Sequence, residues 1–156
     1  MKHITCCFTG HRNFSQDKNE QIVKRLSEEI DSLIKQGITI YISGGAVGFD
    51  QIAASAIIRK REQGADIRLI FALPCRKQDK NWNERQKQLY RSLLSKADDI
   101  VYVSEDFTPD CMKLRNQYMV DNSNYCICAL TKNISGTGQT TRYARQQGVE
   151  VINVAK

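Results

Sequence analysis

The chain has 156 residues, of which 41% are hydrophobic and 26% are charged, and its formal net charge at pH 7 is +6. These values exclude a disordered or fibrous chain and predict a single globular domain, residues 1–156, that is large enough to bury a core. An 18-residue apolar run and a signal-peptide pattern are both lacking, so we expect a cytoplasmic protein with no membrane association. The positive charge favours an anionic partner, either a nucleotide or a nucleic acid.

The first predicted strand, residues 3–9, leads into a polar loop. After Asp17, apolar residues recur every three or four positions up to Gly37, which predicts the first helix. A second strand, 38–42, is followed by a loop of small residues and by a helix that runs from about Phe49 to Gly64. This order of strand, helix, strand and helix is typical of a parallel sheet.

The same alternation continues to the end of the chain. In the helix predicted at 83–96 we expect Leu89, Leu93 and Leu94 to face the core. The remaining strands are predicted at 67–73, 100–103, 125–130 and 149–154, and the last two helices at 112–121 and 137–147. The whole pattern predicts an α/β fold, a Rossmann-like, doubly wound, mainly parallel sheet with helices on both faces.

Residues 43–48, Ser-Gly-Gly-Ala-Val-Gly, follow the second strand directly. Glycine allows the backbone to approach a ligand closely, and the first N–H groups of the next helix lack intrahelical partners and attract anions. The spacing of Gly44, Gly45 and Gly48 matches neither the dinucleotide fingerprint nor the P-loop. Two interpretations therefore stand, a ligand loop and a plain turn.

In an open parallel sheet, ligands bind beyond the carboxyl ends of the strands, where the strand order reverses. A second glycine- and hydroxyl-rich helix start, residues 135–141, is expected at this edge and suits another anionic oxygen. Two such loops predict a phosphorylated or nucleotide ligand, and the alternative is that both are ordinary helix caps. The candidate ligand-binding residues are Thr9, Gly10, His11, Arg12, Ser43, Gly44, Gly45, Gly48, Asp50, Trp82, Arg115, Asn116, Gly136, Thr137, Gly138 and Thr140.

Several of these side chains have a structural alternative. His11 is either an acid–base group or phosphate donor, or a hydrogen-bonded structural residue, whereas Arg12 suits bidentate binding of phosphate. Asp50 either favours the helix dipole or accepts a hydrogen bond from a ribose or base. Trp82 either stacks on a base or folds over the site as a lid, or it anchors packing. Arg115, with its neighbour Asn116, is either a ligand contact or exposed polar surface.

The six cysteines do not follow a metal-binding pattern. Cys126 and Cys128 share one face of a predicted strand, whereas Cys6 and Cys7 do not, and neither pair has Cys-x-x-Cys geometry. We therefore predict buried free thiols and no metal site. The basic segment 76–96 also contains acidic residues, so it is a solvated helix face, a lid, a partner surface or a nucleic-acid contact.

Five motifs follow one another along the chain. They are Thr9-Gly10-His11-Arg12, the small-residue pattern of 43–54, Lys80-Asn81-Trp82, Arg115-Asn116-x-x-Met119-Val120-Asp121 and Gly136-Thr137-Gly138-x-Thr140. Together they resemble the YpsA-like branch of the SLOG superfamily, which groups the DNA-uptake protein DprA with the LOG phosphoribohydrolases. The resemblance covers nearly the whole chain. It implies a Rossmann-like domain that binds a nucleotide or nucleotide-derived ligand at its glycine loops, commonly as a homodimer.

The LOG hydrolases cleave an N-glycosidic bond with a Glu on the helix after a Pro-Gly-Gly-x-Gly-Thr loop, together with an Arg. The matching segment here, residues 135–145, has no proline and no carboxylate, so Asp50 or Glu84 would have to replace that Glu. Three hypotheses follow from the sequence. The first is nucleotide-ligand binding without an assigned catalytic residue or a further cofactor. The others are hydrolysis of a nucleotide N-glycosidic or phosphate bond, and DprA-like binding of single-stranded nucleic acid.

Overall fold

A computed structural model describes all residues, Met1–Lys156. A 3-10 turn at Lys2–Ile4 precedes the first strand, which therefore begins two residues later than predicted. Every other predicted strand and helix is present, with bounds that differ by one or a few residues. The strands are β1 (Thr5–Gly10), β2 (Ile40–Ser43), β3 (Arg68–Leu73), β4 (Asp99–Tyr102), β5 (Tyr125–Ala129) and β6 (Glu150–Asn153). The helices are α1 (Gln16–Lys35), α2 (Phe49–Glu62), α3 (Glu84–Ser95), α4 (Cys111–Asp121) and α5 (Gly136–Gln146).

All six strands are parallel and lie in one sheet, in the order β4-β3-β2-β1-β5-β6. The chain builds outward from β1 to β4 and then crosses back to place β5 beside β1. This reversal confirms the doubly wound α/β prediction. It also locates the switch point, where ligands bind in such sheets, between the carboxyl ends of β1 and β5.

The two faces of the sheet carry separate cores. Helices α1, α2 and α3 cover one face, and their core includes four α1 residues at helical spacing, Ile22, Leu26, Ile30 and Leu33. Helices α4 and α5 cover the other face with a smaller core around Met119. Each fully buried large apolar side chain contributes about 1.5–3 kcal/mol, so the larger core is the main source of stability.

The expected core face of α3 is partly wrong. Leu89 is 48% exposed, whereas its neighbour Tyr90 is 3% exposed and packs in the core with Leu93. Tyr90, Leu93 and Leu94 follow the helical spacing of three and four residues, and Leu89 lies one residue, or about 100°, away from that stripe. All six cysteines are free and buried, as predicted. None of the helices has the length and apolar character needed to cross a membrane.

Candidate functional site

A cleft of about 280 Å³ lies at the switch point of the sheet. Four segments converge on it: the β1–α1 loop, the β2–α2 loop, and the first turns of α4 and α5. The residues that line it are Thr9, Gly10, His11, Arg12, Ala46, Asp50, Met112, Arg115, Asn116, Gly136 and Thr137. Nine of these eleven are among the candidate residues identified from the sequence. Of the other two, Ala46 lies in the 43–48 loop that the sequence indicated, and Met112 was not indicated.

Arg115 ties two walls of the cleft together. Its Nη1 donates to the carbonyl oxygen of Gly44 at 2.6 Å, and its Nε donates to Oδ1 of Asn116 at 2.9 Å. The side chain is buried, with 4% exposure, and this burial lowers its pKa. The interpretation of Arg115 as exposed polar surface is therefore wrong.

Asp50 is the one carboxylate among the residues that line the cleft. It is 7% exposed, and its Oδ2 accepts a hydrogen bond from the amide of Ala46 at 3.3 Å. Burial raises the pKa of Asp50, while the nearby Arg115 charge opposes that shift. The two side chains form no direct ion pair, so their charges act on each other without a direct contact. Glu84, the other suggested acid, is exposed and lies outside the cleft.

Two amides of the β2–α2 loop, those of Gly45 and Ala46, donate within the protein. The amide of Gly45 donates to Oγ of Ser43 at 3.2 Å, and the Ser43 hydroxyl in turn donates to the carbonyl oxygen of Asp50 at 2.8 Å. Gly45 has a φ of +72°, and a Cβ there would meet Leu73 and Tyr90 in the core rather than a ligand. These contacts favour the interpretation of this loop as a structural turn.

The start of α5 presents unpaired backbone amides to the cleft. The Oγ of Ser135 accepts a hydrogen bond from the amide of Gly138 at 3.0 Å and thereby caps the helix. The amides of Gly136 and Thr137 have no acceptor in the protein, and both residues line the cleft. Two unpaired N–H groups at the positive end of a helix dipole attract an anion.

His11 and Arg12 leave β1 at the mouth of the cleft. Nε2 of His11 accepts hydrogen bonds from the amides of Thr131 and Lys132 at 3.0 and 3.2 Å, which requires the ring to be neutral with its proton on Nδ1. Partial burial and the Lys132 charge both lower the pKa of His11. These contacts support the structural interpretation of His11. The exposed Arg12 forms no ion pair and leaves a cation at the mouth.

Seven predicted residues do not line this cleft: Ser43, Gly44, Gly45, Gly48, Trp82, Gly138 and Thr140. Trp82 packs edge-on against Tyr90, with ring centroids 4.9 Å apart, and so has the role of a packing anchor. In the basic segment, Arg76 pairs with Glu105 at 2.6 Å, which offsets part of its charge. No group of three or more His, Cys, Asp or Glu residues is placed to hold a metal ion.

An all-parallel, doubly wound sheet with a cleft at its switch point defines a Rossmann-like α/β protein. Residues 6–151 match the model of the YpsA family, described as the YspA SLOG family. The chain therefore belongs to this family, which confirms the resemblance seen in the sequence.

Two bacterial relatives are similar in sequence. The chain is 32% identical over 146 residues to the SPbeta prophage-derived protein YoqJ of Bacillus subtilis. The aligned region covers 83% of this chain and 85% of YoqJ. The chain is also 26% identical over 107 residues to a UPF0398 protein of Bacillus cereus. This aligned region covers 67% of the chain and 58% of that protein.

Two solved structures share the fold. DprA of Streptococcus pneumoniae has a TM-score of 0.69 and 18% identity, over 94% of this chain and 48% of the DprA chain. DprA of Helicobacter pylori, whose structure concerns its single-stranded DNA binding mode, has a TM-score of 0.67 and 21% identity, over 94% of this chain and 63% of that chain. This chain thus spans about half to two thirds of the DprA chains.

Proposed function

We propose that the cleft binds a nucleotide or nucleotide-derived ligand by its phosphate. The observation that supports this most directly is the meeting of the unpaired amides of Gly136 and Thr137 with Arg12 and Arg115 in one cleft. A phosphate oxygen accepts well from helix N-terminal amides, and a guanidinium donates two parallel bonds to a phosphate. In this proposal the α5 start binds the phosphate, and the Gly44–Gly45 loop supports the cleft wall.

Asp50 would bind another part of the ligand. A carboxylate accepts hydrogen bonds from the hydroxyls of a ribose. The Ala46 amide donates to the Asp50 carboxylate in the cleft wall, and the Arg115 charge lies nearby. A phosphate that binds close to Asp50 would need positive charge nearby, because two anions in a buried site repel each other. The pair of Arg12 and Arg115 supplies that charge.

The experiment is isothermal titration calorimetry of the purified protein with a panel of nucleoside mono-, di- and triphosphates. Arg12→Ala removes an exposed cation from the cleft and should weaken binding about 10- to 100-fold, since a hydrogen bond to a charged group contributes about 1.5–3 kcal/mol. The matched control is Arg85→Ala, on the exposed surface of α3 and outside the cleft. If the wild-type protein binds no member of the panel, the proposal is disproved. Equal losses of affinity in Arg12→Ala and Arg85→Ala would disprove it as well.

Hydrolysis of a nucleotide N-glycosidic or phosphate bond is the second candidate. The observation that favours it is the buried Asp50 carboxyl, whose pKa burial raises, in a cleft with two arginines. Raised carboxyl pKa values are a property of general acids. If the chain is such an enzyme, Asp50→Asn should lower product release about 10²- to 10⁴-fold while the nucleotide still binds. A wild-type protein that leaves the panel intact would exclude this candidate.

Binding of single-stranded nucleic acid is the third candidate, and the net charge of +6 and the DprA fold support it. Strand-binding grooves usually stack bases on aromatic side chains, but His11 is the only aromatic ring that lines the cleft. Oligonucleotide affinity that falls steeply with salt would support this candidate. The homodimer and the cytoplasmic location stay predictions, the first of which sedimentation velocity would test.

A further inference from the structure

A second groove, of about 290 Å³, runs between α4 and α5. Facing positions of the two helices line it, with Lys113, Asn116 and Gln117 on α4 and with Gln139, Arg142 and Gln146 among the residues on α5. The α5 positions are spaced by three and four residues, so they form one stripe along the helix.

The groove adjoins the candidate site. Asn116 lines both the cleft and the groove, and the Nε of Arg115 fixes its side chain through Oδ1 at 2.9 Å. Thr137 lines the cleft and Thr140 lines the groove, so consecutive turns of α5 face the two spaces. Ligand pockets usually have volumes of about 300–1,000 Å³. Each space lies at the lower end of that range, and a ligand that spans both has more room.

The chemistry of the groove is that of carboxamides. The side chains of Gln117, Gln139 and Gln146 have no hydrogen-bond partner in the protein, and Nδ2 of Asn116 is also free. A carboxamide has both donors and acceptors and can make two parallel bonds to the edge of a base, as Asn and Gln do with adenine. One aromatic ring, Tyr143, also lines the groove, and its hydroxyl donates to Asp121 at 2.6 Å. This bond holds the ring in place.

We propose that the α4–α5 groove binds the base of the nucleotide whose phosphate occupies the start of α5. This inference rests on the proposed function and adds to it the place where the base is recognised. The phosphate lies at Gly136 and Thr137, the ribose passes Asn116, and the base enters the groove among the glutamine side chains. Lys113 and Arg142 at the groove edge make it suited to anionic nucleotides rather than to free bases.

The test compares ligands with and without a base. Ribose 5-phosphate supplies the sugar and the phosphate, and the four ribonucleoside 5′-monophosphates add a base. In calorimetry, at least one monophosphate should bind wild-type protein about ten-fold more tightly than ribose 5-phosphate. The double variant Gln117→Ala, Gln146→Ala should lose that advantage and leave the affinity for ribose 5-phosphate unchanged.

The matched control is Gln147→Ala, one residue beyond the groove stripe, which should keep the wild-type preference. Circular dichroism of each variant verifies folding, because substitution of exposed or half-exposed glutamines should not affect the fold. Equal affinity for ribose 5-phosphate and for all four monophosphates would overturn this inference and leave the proposed phosphate site intact. No binding of any of these five ligands would overturn this inference, and it would overturn the proposed function as well only if the nucleoside di- and triphosphates also fail to bind. A preference that survives the double variant would overturn the inference and place the base elsewhere.

Discussion

The guanidinium of Arg115 and the carbonyl oxygen of Gly44 are joined by a hydrogen bond of 2.6 Å between residues 71 positions apart in the chain. The bond connects α4, on one face of the sheet, to the loop that leads into α2, on the other. Gly44 is needed there, because a Cβ would lie 2.6 Å from Nη1 of Arg115 and 2.8 Å from Oδ2 of Asp50. The shape of the cleft therefore depends on a buried cation.

Arg115→Met should destabilise the fold by about 2–3 kcal/mol, because the carbonyl of Gly44 loses a charged donor and Asp50 loses a nearby positive charge. Urea denaturation measures this free energy of unfolding. Arg12→Ala, on the exposed side of the same cleft, should change it by less than about 0.5 kcal/mol. A loss for Arg115→Met that is as small as the one expected for Arg12→Ala would contradict the structural role of the buried guanidinium.

Gly138→Ala should lower the stability of the protein and Gly136→Ala should not, although the two glycines lie in the same turn of α5. A Cβ on Gly138 would overlap the carbonyl oxygen of Asn133, whereas a Cβ on Gly136 meets no atom within 4 Å. The first change should cost about 1–3 kcal/mol, and the second should leave the thermal unfolding midpoint close to the wild-type value. A stable Gly138→Ala protein would mean that the loop at Asn133 moves freely.

The stability of the protein should depend on the protonation of Asp50. Because burial raises its folded-state pKa above the unfolded value of about 4, the folded state binds this proton more tightly. The contribution of Asp50 to stability is thus fully present below about pH 4 and is lost as the pH rises through the raised pKa. The unfolding free energy of wild type minus that of Asp50→Asn should decrease as pH increases. If this difference in unfolding free energy grows with pH, the folded-state pKa of Asp50 is not raised.

His11 should titrate below its ordinary pKa of about 6.5, because burial, the Lys132 charge and two accepted hydrogen bonds all favour the neutral ring. The measurement is the proton NMR titration of the His3→Gln variant, in which His11 is the only histidine. Because the folded-state pKa is lowered, this group's stabilising effect is present above about pH 6.5 and is lost as the pH falls through the lowered pKa. A midpoint above 6.5 would exclude Nε2 as an acceptor.

The order and type of the strands and helices were predictable because each has a strong pattern. The four buried residues of α1 follow the helical spacing, and every strand is a short apolar run between polar loops. The position of Leu89 was not predictable in this way. Leu89 and Tyr90 are adjacent, and the choice between them depends on how α3 is rotated against α2 and the sheet, which is a tertiary property.

The candidate site was predictable in location and less so in detail. Parallel strands end at the same edge, so Thr9, Arg12 and Gly136 had to lie near one another once the strand order was known. The sequence did not show that Ser43 and Asp50 accept hydrogen bonds from the amides of Gly45 and Ala46, because glycines in a structural turn and in a phosphate loop look alike. It also gave no signal for Met112, an ordinary apolar residue in the first turn of α4.

The bonds that close the β2–α2 loop have a kinetic consequence. The Gly45 and Ala46 amides are engaged before any ligand arrives, so this wall of the cleft has no conformational search to complete. Association with a small anion should then be limited by encounter and orientation, with electrostatic steering by Arg12, rather than by loop closure. The residence time of the ligand, rather than its rate of arrival, would then vary among the nucleotides.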